Sequence, residues 1–208
     1  TPQGYRGEGV SDNFWKLIER HKVTFMITVP TALSALMQRK VDADISTLRI
    51  AFCGSSPLPL ELYRRFEEAV NAEKGSTDVK LSICEGYGLT EATCLVSINP
   101  PDGEKRVGSI GIPFPYTNVR IVNVATQIDC GSDEVGEICV ASPGVYDGKT
   151  YTETAKHADL FYPGENSPFG KSVQYLRTGD LGRIDAEGYL WITGRAKDLI
   201  IRGGHNIN

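Results

Sequence analysis

The chain has 208 residues, 40% hydrophobic and 23% charged, with a formal net charge of −4. That composition excludes a disordered polyelectrolyte and leaves no basic footprint for nucleic acid. No apolar run approaches the roughly 20 residues a membrane-spanning helix needs, and TPQGYRGEGV has no signal-peptide pattern.

Ser11 or Asp12 is the expected cap of a first helix whose apolar face is Phe14, Trp15, Leu17 and Ile18. The β-rich run Val23–Val29 follows and stops at Pro30. Within it, Phe25, Met26 and Ile27 read as a core strand in preference to the wall of an apolar tunnel. Thr31 is the expected cap of a second helix carrying Leu33, Leu36 and Met37. Leu48–Cys53 is a short strand ending at Gly54, and Pro57 and Pro59 lead into a helix with Leu62, Phe66, Ala69 and Val70 at helical spacing. Ala72–Asp78 reads as a surface loop, and Leu81–Cys84 as the next strand, ending at Glu85-Gly86. Strands alternating with helices imply a parallel sheet, whose ligands bind beyond the carboxyl ends of the strands, where Gly54-Ser55-Ser56 and Gly86-Tyr87-Gly88 fall.

Beyond Pro113 the pattern changes to short strands, at Val119–Val122, Val135–Ala141, Tyr175–Arg177, Arg183–Asp185 and Tyr189–Thr193. Asp185-Ala186-Glu187-Gly188 reads as a hairpin turn, Glu153–Leu160 as a helix and residues 163–172 as a surface loop. The predicted fold class is α/β: a parallel-type sheet with flanking helices (residues 1–113), then a small β-rich subdomain resembling a distorted barrel (114–194). Residues 195–208 are set apart from both.

The five cysteines are odd in number and form no C-x-x-C pair, which argues against a disulfide framework or a zinc site and fits a reducing cytoplasm. Cys53, Cys84 and Cys139 lie in or at the end of apolar runs and read as buried thiols. His21, His157 and His205 share no motif spacing and read as non-catalytic. The missing initiator Met and the Gly-rich close RGGHNIN lead to the expectation of an excised fragment.

Three segments carry chemistry. In Glu85-Gly86-Tyr87-Gly88-Leu89-Thr90-Glu91, two glycines let backbone approach a ligand while the Tyr87 ring offers a stacking surface. Glu91 is a hard oxygen suited to Mg²⁺ when phosphates and water complete its shell. Equally, the segment reads as a strand-to-helix turn capped by Thr90 with Glu91 at the helix N-terminus. In Tyr175–Arg195, Asp180 is placed to accept from both hydroxyls of a ribose, or is a turn residue. In the third segment, Gly194–Ile207, Arg195 reaches ribose or phosphate oxygens, or belongs to a charged connector.

Together, YGLTE, LRTGD and GRAKDLIIRGGHNI resemble, in order and spacing, the adenylate-forming superfamily of acyl- and aryl-CoA synthetases, luciferases and peptide-synthetase adenylation domains. Val29-Pro30-Thr31, Gly54-Ser55-Ser56-Pro57-Leu58 and Gly136-Glu137-Ile138 extend the resemblance over nearly the whole chain. It implies an ATP-dependent acid–thiol ligase of fatty-acid or related metabolism, joining a carboxylic acid to CoA through an acyl-adenylate, with ATP, Mg²⁺ and CoA required. Gly54, Ser55, Ser56 and Pro57 would line the adenine and acyl pockets; Glu85, Gly86 and Tyr87, with Gly88, would flank the adenine, Tyr87 stacking on it. Thr90 would touch the α-phosphate, Glu91 would hold Mg²⁺, Asp180 would bind the ribose, Arg195 would contact the nucleotide and Lys197 would be the hinge. The family's phosphate loop and its C-terminal catalytic lysine have no counterpart in this sequence, so negligible turnover is expected from the isolated chain. Two other readings are a peptide-synthetase adenylation domain, disfavoured by Leu89 and Lys197-Asp198-Leu199-Ile200, and a non-catalytic nucleotide-binding module of the same fold.

Overall fold

The computed structural model describes residues 4, 7–74, 81–146, 159–163, 174–196, 200–202 and 205–207. The chain packs as two units, one formed by residues 1–86 and 99–108, the other by 87–98 and 109–208.

In the first unit the sequence pattern turns into α1 (Phe14–His21), β1 (Phe25–Thr28), α2 (Pro30–Leu36), β2 (Ile50–Cys53), α3 (Leu60–Lys74) and β3 (Ser82–Tyr87), the last residue of which belongs to the second unit. β1, β2 and β3 pair in parallel, Phe25 opposite Ile50 and Ile50 opposite Ser82, as the alternation of strands and helices predicts. Trp15, Ile18, Leu33, Leu36, Phe66 and Ile83 fill the core, with Trp15 stacked on Phe66 at a centroid distance of 6.3 Å.

Both expected caps move. Asn13, not Ser11 or Asp12, precedes α1, and its side-chain amide donates back to the Gly9 carbonyl. Val29 precedes α2, because Pro30 takes the first helical position, where its missing N–H costs nothing, and this draws Thr31 into the helix. α3 runs through Lys74, absorbing the start of the expected loop at Ala72. In β1 only Met26 and Thr28 face inward, while Phe25 is 49% and Ile27 62% exposed. The two-residue period of a strand sends neighbours to opposite faces, so Phe25-Met26-Ile27 is not a uniformly buried run.

The second unit contains the hairpin of β4 (Ser97–Ile98) with β5 (Ile112–Pro113) and a curled antiparallel sheet. That sheet is built from β6 (Asn118–Val122), β7 (Gly136–Ala141), β8 (Phe161–Pro163), β9 (Gln174–Ile184) and β10 (Leu190–Arg195). Its order is β10-β9-β7-β6, with β8 also on β9; β11 (Ile200–Arg202) and β12 (His205–Ile207) form a separate two-stranded hairpin. Tyr87, Ala92, Val96, Ile121, Ile138, Val140 and Leu190 make its core.

Two strands expected at Tyr175–Arg177 and Arg183–Asp185 are one strand, β9, because the Thr178-Gly179-Asp180 insertion is a bulge within it and not a break. Asp185–Gly188 is the expected hairpin turn: the Gly188 N–H donates to the Asp185 carbonyl, and Gly188 has φ +88°. The expected helix Glu153–Leu160 and the loop 163–172 lie almost entirely outside the described residues. Among the described residues, no helix is long and apolar enough to cross a membrane.

Candidate functional site

Of the residues singled out by sequence, Gly54, Ser55, Ser56, Pro57, Glu85 and Gly86 belong to the first unit, and Tyr87, Gly88, Thr90, Glu91, Asp180 and Arg195 to the second; Lys197 lies outside the described residues.

In the first unit the end of β2 leads into the segment 54–57. Gly54 is buried and its N–H donates to Thr28, while Ser55, Ser56 and Pro57 are exposed. Ser55 has φ +71°, a left-handed conformation that non-glycine residues adopt only at some cost. Glu85, 7% exposed, does not present its carboxylate to solvent: it accepts the Gly108 N–H at 2.8 Å and a further N–H from Leu58. Burial pushes the Glu85 carboxyl up, and those two N–H donors oppose the shift. The side chain thus anchors the backbone at Leu58 and Gly108, a role the motif gives no hint of.

The second unit brings three predicted residues together. The Tyr87 hydroxyl donates to Asp180 Oδ2 at 2.6 Å, and Arg195 Nε donates to Asp180 Oδ1 at 2.9 Å. Tyr87 comes from the end of β3, Asp180 from the β9 bulge, and Arg195 from the end of β10. Burial, reinforced by the Asp180 acceptor, holds the Tyr87 phenol far above its ordinary value, so the hydroxyl remains a donor. Asp180 is 7% exposed, whereas the Arg195 side chain is 60% exposed. The carboxylate is therefore fixed at one oxygen by a buried bond and at the other by a solvated guanidinium. Each oxygen retains acceptor capacity, since an ionised carboxylate offers about four lone-pair directions.

The register explains how Arg195 reaches Asp180. β10 pairs Ile192 with Gly182 but Gly194 with Leu181, so Thr193 is the extra residue of a bulge, and Arg195 falls opposite Asp180.

Thr90–Ala92 is a single 3-10 turn preceded by Leu89, so Thr90 is not the cap of a helix. Thr90 is exposed and Glu91 half-buried. Gly88 is obligatory for steric reasons, because an added Cβ would overlap the Cys94 carbonyl oxygen. Among the described residues no group of three or more His, Cys, Asp or Glu side chains converges as a metal site. A hard cation at Glu91 would take its remaining oxygens from phosphate and water, a donor set that suits Mg²⁺. Cys53, Cys84 and Cys139 are buried, as the apolar runs predict, and burial pushes the Cys53 and Cys139 thiols up to about 12.

Sequence reasoning missed the support beneath Asp180. Glu137, 5% exposed, accepts the Gly179 N–H at 3.1 Å and Arg177 Nη2 at 2.8 Å. Thr178 Oγ1 donates to the Ile138 carbonyl and accepts the Asp180 N–H. A lone charged residue in an otherwise apolar strand, Glu137 in Gly136–Ala141, was the available signal.

Over residues 5–148 the chain matches the family model described as AMP-binding enzyme. It is 40% identical over 211 residues to the marinolic acid–CoA ligase of Pseudoalteromonas sp. (strain SANK 73390), covering 99% of this chain and 29% of that protein. The crystal structure of a long-chain-fatty-acid-CoA ligase from Archaeoglobus fulgidus is similar at a TM-score of 0.78 and 26% identity, covering 89% of this chain and 36% of that one. The ATP-bound structure of MatB from Rhodopseudomonas palustris is similar at a TM-score of 0.76 and 29% identity, covering 95% and 35%. The chain therefore spans between 29% and 36% of the length of these relatives. Motifs, fold and sequence identity agree, and the chain belongs to the AMP-binding enzyme family.

Proposed function

We propose that this chain is the nucleotide-recognition part of an ATP-dependent acyl-CoA synthetase, which activates a carboxylic acid as its adenylate and transfers the acyl group to CoA. The observation that carries the reading is the convergence of Tyr87 and Arg195 on the two oxygens of Asp180, from segments far apart in the chain. A buried, pre-oriented carboxylate accepts the two ribose hydroxyls of ATP, and Tyr87 keeps it from rotating away. Arg195, largely exposed, donates to the nucleotide from the other side. Thr90, with its exposed hydroxyl, would donate to the α-phosphate, and Glu91 would hold Mg²⁺ through one oxygen. Mg²⁺, when bound, neutralises charge on the phosphates. Attack of the substrate carboxylate on the α-phosphorus then expels pyrophosphate, and cations and fixed donors stabilise the charge that develops. Residues 195–208 are the hinge, with Lys197 at its pivot, and the beginning of a further domain.

The test is an NMR titration of the 208-residue chain with ATP and with 2′,3′-dideoxy-ATP. ATP is expected to shift the amides around Gly179 and Asp180. Loss of both ribose hydroxyls, or Asp180→Ala, is expected to weaken binding about tenfold or more, since hydrogen bonds to a charged acceptor contribute about 1.5–3 kcal/mol. Equal affinity for the two nucleotides would remove the ribose assignment. No response to millimolar ATP would remove the nucleotide reading itself.

A further inference from the structure

Asp180 sits on a distortion that the sheet does not make unaided. β7 pairs Glu137 with Leu181 and Cys139 with Arg177, so β9 spends four residues where β7 spends two. Thr178, Gly179 and Asp180 bow out opposite Ile138, and Gly179 takes φ +73°. Such a bulge leaves ladder N–H and C=O groups unpaired and needs other partners to hold one shape. Two side chains accept N–H groups of this bulge. Glu137 Oε1 accepts the Gly179 N–H at 3.1 Å, and Thr178 Oγ1 accepts the Asp180 N–H at 3.1 Å. Thr178 is itself pinned by donating to the Ile138 carbonyl at 2.8 Å. Glu137 is 5% exposed and held by two bonds from Arg177 to its other oxygen, Nη2 at 2.8 Å and Nε at 3.0 Å.

We propose that Glu137, braced by Arg177, is the positioning residue of the site: it touches no ligand and fixes the Thr178-Gly179-Asp180 bulge so that the Asp180 carboxylate meets Tyr87 and Arg195. The functional half of this statement rests on the nucleotide reading above; the structural half does not. The division of labour within Glu137 makes it testable. Both of its oxygens are acceptors in use, and an amide at the same position has one oxygen. In Glu137→Gln that oxygen turns to the Arg177 guanidinium, the stronger donor, and leaves the –NH₂ facing the Gly179 N–H. Arg177→Lys keeps a cation on the outer oxygen and leaves the inner one free to serve Gly179.

The experiment is residue-resolved amide hydrogen exchange on the 208-residue chain, with an ATP titration followed by NMR on the same samples. In Glu137→Gln, exchange at Gly179 and Asp180 is expected to accelerate at least tenfold while β6 amides such as Ile121 stay within twofold. ATP affinity is expected to fall five- to tenfold, and Arg177→Lys to stay within threefold of the unsubstituted chain on both readouts. If Glu137→Gln does not fold, Glu137→Asp, which keeps the charge but shortens the reach, is judged by the same two readouts. Unchanged protection of Gly179, or uniform loss of protection across the sheet, overturns the positioning role. If the unsubstituted chain fails to respond to ATP, the nucleotide reading falls and the exchange pattern still decides whether Glu137 shapes the bulge. Bulge loosening with unchanged ATP affinity overturns its functional half.

Discussion

The Tyr87–Asp180 bond is the strongest single tie at the site, and its contribution follows from burial. Tyr87 is 9% and Asp180 7% exposed, and the 2.6 Å separation is that of a charge-assisted O–H to carboxylate bond. A hydrogen bond to a charged group contributes about 1.5–3 kcal/mol. By contrast, the Arg195–Asp180 pair, with a 60% exposed guanidinium, falls in the surface range of about 0–1 kcal/mol. Tyr87→Phe keeps the ring that packs with Ala92, Val96 and Leu190, so no cavity is added to the loss. Tyr87→Phe is therefore expected to destabilise the second unit by about 1.5–3 kcal/mol, and Arg195→Ala by less than about 1 kcal/mol. The assay is native-state exchange at the slowest amides of β7, such as Val140, for Tyr87→Phe, Asp180→Ala and the double variant. The double variant should cost less than the sum of the singles by about 1.5–3 kcal/mol. A coupling below about 0.5 kcal/mol, the level seen for independent sites, would refute the account of a carboxylate held in place by the phenol.

Two further outcomes follow from the packing. Gly88→Ala forces a methyl group into the Cys94 carbonyl and is expected to cost about 2–3 kcal/mol or more, measured by urea denaturation monitored in the aromatic region of the NMR spectrum. Glu85 has its carboxyl raised by burial, so in the first unit it favours the folded state while protonated and loses that contribution as pH rises through its folded-state value. Glu85→Gln, which cannot ionise, should therefore gain stability relative to the unsubstituted chain as pH rises from 4 to 7. Far-UV circular dichroism in urea reads this, because the three α-helices among the described residues lie in the first unit. A pH-independent difference would contradict the assigned cause.

Much of the fold was legible because it rests on local rules. Trp15 and Ile18 recur at helical spacing and are buried; Leu62, Phe66 and Val70 do the same in α3. The parallel pairing of β1, β2 and β3 follows from their alternation with helices. Helix starts were less legible, since Pro30 and Asn13 overrode the nearest hydroxyl and carboxylate. The separate identities of Tyr87, Asp180 and Arg195 as chemical candidates were visible in three short motifs.

Amino-acid order alone thus determined the helices and parallel strands of the first unit and which side chains carry useful chemistry, because periodicity, turn residues and motif spacing act over a few residues. The tertiary structure alone decided what those side chains do to one another. That Glu85 turns inward to Gly108, that Arg195 slides opposite Asp180 through the extra Thr193, and that Glu137 underpins Gly179 all depend on strand register. Register is set by the packing of whole strands against a common core, and a shift of one residue would turn each of these side chains to the opposite face.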